Sequence, residues 1–169
     1  MRQLITALML WAAVAVGQVM DFDGADQYVG MSHSSKLSPT SEMSISMWAY
    51  MRPDTGNSVL LSKWGDLTTE RAYVVYTYNY IGGNGRDLTF EIHQSDGTVV
   101  RTSSEDWWIY SSPSGTLADG WHYITANANG TQISLFVDGV LTSSTTYDGT
   151  INSTTSDLRM GVLRPEDPI

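Results

Sequence analysis

No cysteine occurs among the 169 residues, which excludes disulfides and thiolate chemistry and leaves the fold to rest on packing alone. Positive charge is also scarce. Nine Lys and Arg face 18 Asp and Glu, for a net charge of −9. Those nine are scattered along the chain, which argues against nucleic acid as a partner, because a phosphate backbone selects clustered cations. The apolar run at 4–16 is too short for a bilayer, which takes about 20 apolar residues, and no second run follows, so no stable membrane span is expected. Helical periodicity is missing too: no window of helical length repeats its apolar residues every 3.6 positions. Catalytic motifs are equally sparse. There is no HExxH zinc motif and no nucleophile elbow, and His33, His93 and His122 lie far apart in sequence.

The first residues form a region of their own. Arg2 gives a positive start, residues 4–16 an apolar block, and Ala15-Val16-Gly17 the small residues that a signal peptidase reads. We therefore expect a signal peptide at 1–17 and one domain at 18–169, secreted or carried on a cell or virion surface. Losing Arg2 takes the charge to about −10, compatible with solubility and with calcium. Asn129-Gly130-Thr131 and Asn152-Ser153-Thr154 match the glycosylation sequon and also read as plain turn chemistry.

What remains is strand and turn. Candidate strands fall at 19–22, 28–30, 43–51, 58–64, 72–81, 87–94, 98–103, 121–128, 132–137, 140–146 and 157–162. The dipeptides Asn129-Gly130 and Asp138-Gly139 have the chemistry of two-residue primed turns, so 120–141 reads as an antiparallel meander. Within 43–51 the pleat sorts Ile45, Met47, Ala49 and Met51 onto one face and Ser44, Ser46, Trp48 and Tyr50 onto the other, neither face charged. One long irregular segment, 103–119, interrupts the pattern. The fold class expected is all-β, an antiparallel β-sandwich.

Five pieces of sequence, in order, resemble the laminin-G-like and concanavalin A-like lectin jelly-roll domains. They are Phe22-Asp23-Gly24 with Asp26-Gln27-Tyr28-Val29; Ser44-Ile45-Ser46-Met47-Trp48 with Arg52-Pro53; Leu60-Leu61-Ser62-Lys63-Trp64-Gly65; the meander from Asp119-Gly120-Trp121-His122 through Leu135-Phe136-Val137-Asp138-Gly139-Val140; and Met160-Gly161. The resemblance runs from 20 to about 162. It implies a jelly roll and a binding role rather than catalysis. A closing strand that pairs beside the first is usual in the family; here Pro165 and Pro168 argue against one, so the domain reads as possibly truncated at its C-terminal side, with an open sheet edge. The resemblance also implies calcium at the opening acidic turn, with Asp23, Asp26 and the Gly24 carbonyl as ligands. A plain hairpin with a solvated Asp26 is the equal alternative.

A hydrolase on such a sheet needs carboxylates at i and i+2 or i+4 of one strand. Glu91 is read as a lone acid between Phe90 and Ile92, so the chain is expected not to be an enzyme. Sugars are bound by flat rings covering their CH faces beside polar neighbours. Trp107, Trp108 and Tyr110 in the long segment, with Tyr78 and Tyr80 on the face of Tyr76, are the ligand-binding candidates; Trp107 and Trp108 read equally as core, and so does the tyrosine face. Trp48, Trp64 and Trp121 are assigned to packing. His122 reads as a strand histidine with a structural hydrogen bond. The expected function is extracellular recognition of carbohydrate or a surface glycoconjugate. The alternative is a structural or adhesion protein that contacts other proteins through an open edge.

Overall fold

The computed structural model describes residues 19–22, 27–51, 57–79, 85–109 and 120–163, with the backbone alone described at 79, 85–86 and 105–109. The signal-peptide expectation for 1–17 lies outside these residues. Among the described residues ten strands are present: β1 (Val29–Met31), β2 (Glu42–Met51), β3 (Ser58–Trp64), β4 (Arg71–Asn79), β5 (Gly85–His93), β6 (Val99–Ile109), β7 (Gly120–Asn129), β8 (Gln132–Val137), β9 (Val140–Thr146) and β10 (Leu158–Met160). They form a six-stranded sheet in the order β1-β10-β3-β4-β5-β6 and a four-stranded sheet in the order β2-β7-β8-β9. All pairs are antiparallel. The expected sandwich is what the chain builds, and two one-turn 3-10 helices, Ser35–Leu37 and Thr68–Glu70, are its helical content among the described residues.

The alternation of β-branched and aliphatic residues supplies the core. Leu61, Tyr73, Val75, Leu88, Phe90 and Ile92 point inward from the six-stranded sheet and meet Ile124, Ala126, Ala128, Ile133, Leu135 and Val137 of the other. Met43, Ile45, Met47 and Ala49 pack against that cluster from β2. Each Val, Leu, Ile, Phe or Met among them contributes about 1.5–3 kcal/mol when fully buried. The segment after β9 joins the layers: Ile151 N–H donates to Thr40 O at 2.8 Å and Asn152 N–H to His93 O at 2.7 Å.

Three local expectations change. Residues 19–22 carry no strand, and the irregular segment begins later than position 103, because β6 runs to Ile109 after a bulge opposite Asp87. The two Gly turns also differ. Asp138 and Gly139 both have positive φ, 51° and 80°, as a primed two-residue turn requires, whereas at Asn129-Gly130 only the glycine does. Asn129 instead accepts at Oδ1 from Thr131 N, Thr131 Oγ1 and Gln132 N, capping its turn with the side chain. Asn152 likewise has a structural use: its Nδ2 donates to the carbonyls of Thr69 and Arg71, both at 2.9 Å.

Candidate functional site

Among the described residues, the outer face of the four-stranded sheet carries the largest apolar groups left in water. Once Ile45, Met47, Ala49 and Met51 turn inward, the pleat forces Ser44, Ser46, Trp48 and Tyr50 outward. On the neighbouring β7 the inward Ile124, Ala126 and Ala128 do the same for Trp121, Tyr123, Thr125 and Asn127. Register then pairs Trp48 with Tyr123 and Tyr50 with Trp121. The first two rings lie 5.3 Å apart and tilted by 48°, the second two 5.4 Å apart and edge-on at 78°. Trp48 is 64% exposed, Tyr50 51%, Trp121 45% and Tyr123 38%. Four adjacent exposed rings form a contiguous patch, and such patches mark contact surfaces on soluble domains.

The patch continues into hydroxyls and amides. Ser46 and Thr125 share a hydrogen bond at 3.0 Å, Ser44 faces Asn127, and Gln132 Nε2 donates to Ser144 Oγ at 3.1 Å. Rings beside hydroxyl and amide groups are the combination that covers and hydrogen-bonds a sugar. His122 holds the frame from the inner side of β7. Its Nδ1 lies 2.8 Å from Asp138 Oδ2, while Asp138 Oδ1 accepts the Tyr123 N–H at 2.9 Å. The hydrogen bonds from His122 and from the Tyr123 backbone keep the Asp138 carboxyl below its ordinary range. The β8–β9 turn is thereby tied to the segment between the two β7 rings. The structural hydrogen bond expected of His122 is present.

Trp48 and Trp121 correct the sequence reading, which placed both in packing. Trp64 does pack, at 6% exposure. The outward i, i+2 spacing of Trp48 with Tyr50 and of Trp121 with Tyr123 was visible in the sequence; that they meet depends on the pairing of β2 with β7.

A polar cluster occupies the outer face of the other sheet. Glu91, 4% exposed, lies within 3.1 Å of His93 Nε2, accepts from Arg101 Nε at 2.5 Å and from Tyr76 Oη at 3.3 Å. Burial pushes the Glu91 carboxyl up, but the hydrogen bonds from His93 and Arg101 outweigh it and hold the group below its ordinary range. Tyr76 moves the other way, to about 12, through burial and the adjacent Glu91 charge. His93 meets Trp64 edge-on at 4.6 Å, and the Arg71 guanidinium sits 5.0 Å over the Trp64 ring. Glu91 is therefore not the lone acid it was read to be. Arg101 faces it across a hairpin whose register could be counted from Ser95-Asp96-Gly97. Asp87, four residues earlier on the same face of β5, is a second acid, with Cα atoms about 13 Å apart at strand rise. A retaining glycosidase needs carboxyl groups about 5–5.5 Å apart.

Lys63 is fully buried at the junction of β3 and β10, where Nζ donates to Ser156 O and lies 3.3 Å from His33 Nδ1. Burial lowers its pKa, against the opposing charge of Asp157. Of the binding candidates named from the sequence, Tyr78 is 41% exposed and shares the outer face of the six-stranded sheet with Tyr76. The core residues of β4 are Ala72, Tyr73 and Val75, not Tyr76 or Tyr78. Trp107 and Trp108 lie on β6, with Trp108 opposite Arg86; their side chains, and all of Tyr80 and Tyr110, lie outside the described residues. So do Asp23, Gly24 and Asp26. Among the described residues no three His, Asp or Glu cluster as a metal site would need, and no helix is long and apolar enough to cross a membrane.

The family model described as the concanavalin A-like lectin/glucanases superfamily, of laminin-G type, matches residues 23–168. The chain belongs to that superfamily. No curated protein matches it. Among solved structures it is similar in fold to domains LG4-5 of the mouse laminin alpha1 chain, at 15% identity and a TM-score of 0.55, covering 83% of this chain and 32% of that one. The receptor binding domain of botulinum neurotoxin D is similar at 14% identity and 0.57, covering 83% and 34%. The chain thus spans about a third of those two. A CBM40 of the Ruminococcus gnavus IT-sialidase, bound to α2,3-sialyllactose, is similar at 12% identity and 0.53 over 86% of this chain and 85% of that one. At these identities the likeness is one of fold.

Proposed function

We propose that this superfamily member is a non-catalytic, extracellular carbohydrate-recognition module whose binding face is the outer face of the four-stranded sheet. The observation that carries the proposal is the exposure of Trp48, Tyr50, Trp121 and Tyr123 as two cross-strand ring pairs beside Ser46, Thr125 and Asn127. Leaving four rings in water is unfavourable unless a ligand covers them. The non-catalytic part rests on Glu91, whose carboxylate is held ionised by Arg101 and His93 and so is a poor proton donor. Calcium at Asp23, Gly24 and Asp26, and a contribution from Trp107, Trp108, Tyr110, Tyr78 and Tyr80 at a second surface, belong to the same proposal. A glycan array, with and without chelator, tests it on the wild type and on Trp48→Ala and Trp121→Ala. Binding that both substitutions weaken is expected. Glycan binding indifferent to both, or none at all, would overturn it.

A further inference from the structure

Charge is divided between the two sheets. Lys63, Arg71, Arg86, Arg101 and Arg159 all lie in strands of the six-stranded sheet, on β3, β4, β5, β6 and β10. The four-stranded sheet has neither Lys nor Arg in any strand, and its one acid is Glu42 at the start of β2. An anionic sugar laid on those strands would lose water around its carboxylate or sulfate and find hydroxyls and amides but no strand cation to replace it.

The apolar groups also have a direction. Tyr50 and Trp121 occupy one level of the sheet, Trp48 and Tyr123 the next, and Phe136 on β8 is paired with Thr125, one level further on. Leu141 on β9, 53% exposed, is opposite Phe136. The stripe crosses four strands obliquely. With strands about 4.8 Å apart and a rise of about 3.3 Å per residue, it is about 20 Å long. That is a footprint for several sugar rings end to end.

Resting on the carbohydrate reading above, we infer that this face selects an uncharged linear polysaccharide, bound along internal residues of the chain rather than at a charged terminal sugar. The selectivity comes from the missing cations and the length preference from the oblique stripe. Two measurements test it. Affinity electrophoresis is run through matched pairs of polymers that differ in charge: hydroxyethyl and carboxymethyl cellulose, agarose and κ-carrageenan, dextran and dextran sulfate. For every pair that is bound, the neutral member should bind about tenfold or more tightly. The preference should persist in 1 M salt, where screening over about 3 Å removes any repulsion from the acidic chain as a whole. For the neutral backbone that binds, calorimetry on oligosaccharides of increasing length should show affinity rising well beyond the monosaccharide. Trp48→Ala and Phe136→Ala should shorten that rise, and Arg101→Ala should leave it unchanged. A charged member bound as tightly as its neutral partner, through the rings or through Arg101, would overturn the inference and leave carbohydrate recognition standing. A preference that vanishes in salt, or full affinity for a monosaccharide, would overturn it as well. No retardation by any polymer would remove the carbohydrate reading itself.

Discussion

Replacing Trp48 and Trp64 one at a time with alanine compares a ring left in water with one that the fold encloses. Trp48 is 64% exposed, so of the roughly 250 Å² a tryptophan presents, about 90 Å² is withdrawn from water. At about 25 cal/mol per Å² that area is worth about 2 kcal/mol at most, and alanine keeps part of it. With the tilted contact to Tyr123 also lost, Trp48→Ala should lower stability by about 1–2 kcal/mol. Trp64 is 6% exposed and lies between the edge-on His93 ring and the Arg71 guanidinium. Emptying that site should cost about 3–5 kcal/mol, as removal of a buried aromatic side chain generally does. Urea unfolding followed by far-UV circular dichroism measures both, provided that the slope with denaturant stays constant. Equal losses, or a larger loss at Trp48, would mean that the outer face of the four-stranded sheet is covered in the folded protein, and the reasoning would fail with it.

Three further expectations concern Glu91, two positive-φ glycines and the opening acidic turn. Glu91→Gln should cost about 1–3 kcal/mol at neutral pH, since it breaks the hydrogen bonds to Arg101 and His93. Folding lowers the Glu91 pKa, so its contribution is present above the ordinary glutamate value of about 4.3 and lost as pH falls through the folded-state value; denaturation series at pH 7 and pH 3 should show a smaller acid loss in the variant than in the wild type, and identical acid losses would refute the role. Gly149→Ala should destabilise more than Gly97→Ala in thermal melts: both glycines have φ near +90°, but a Cβ at 149 would stand 2.6 Å from the Gly130 carbonyl oxygen whereas one at 97 meets nothing within 4 Å. An equal effect of the two would show that conformation alone sets the cost. Calcium, if it binds at Asp23, Gly24 and Asp26, should raise stability by about 2.7 kcal/mol at a hundredfold excess over its dissociation constant, and a melting temperature indifferent to millimolar calcium and to chelator would retire that site.

The local pattern of the chain determined which residues form strands and which neighbours share a face. Residues 58–64, 132–137 and 140–146 read as strands from their alternation and coincide with β3, β8 and β9. The two-residue turn at Asp138-Gly139 followed from the positive φ its chemistry permits. Even the pairing of Glu91 with Arg101 was within reach, because a hairpin register can be counted from its turn. Alternation does not say which face of a strand meets the other sheet. On 43–51 both faces are uncharged, and the choice fell to Ile45, Met47, Ala49 and Met51 only because the second layer presents Leu61, Val75, Phe90 and Ile92 to the shared core. That choice sent Trp48 and Tyr50 outward, against the packing role read for Trp48. Trp121 and Tyr123 joined them through a pairing of strands more than 70 residues apart, which no local signal encodes. The division of charge has the same origin. The five Lys and Arg that fall in strands became a property of one sheet because the strand order gathers β3, β4, β5, β6 and β10 together and leaves the strands β2, β7, β8 and β9 without a cation. Periodicity is a property of a single strand, whereas a binding face belongs to neighbours that only the assembled sheets bring into register.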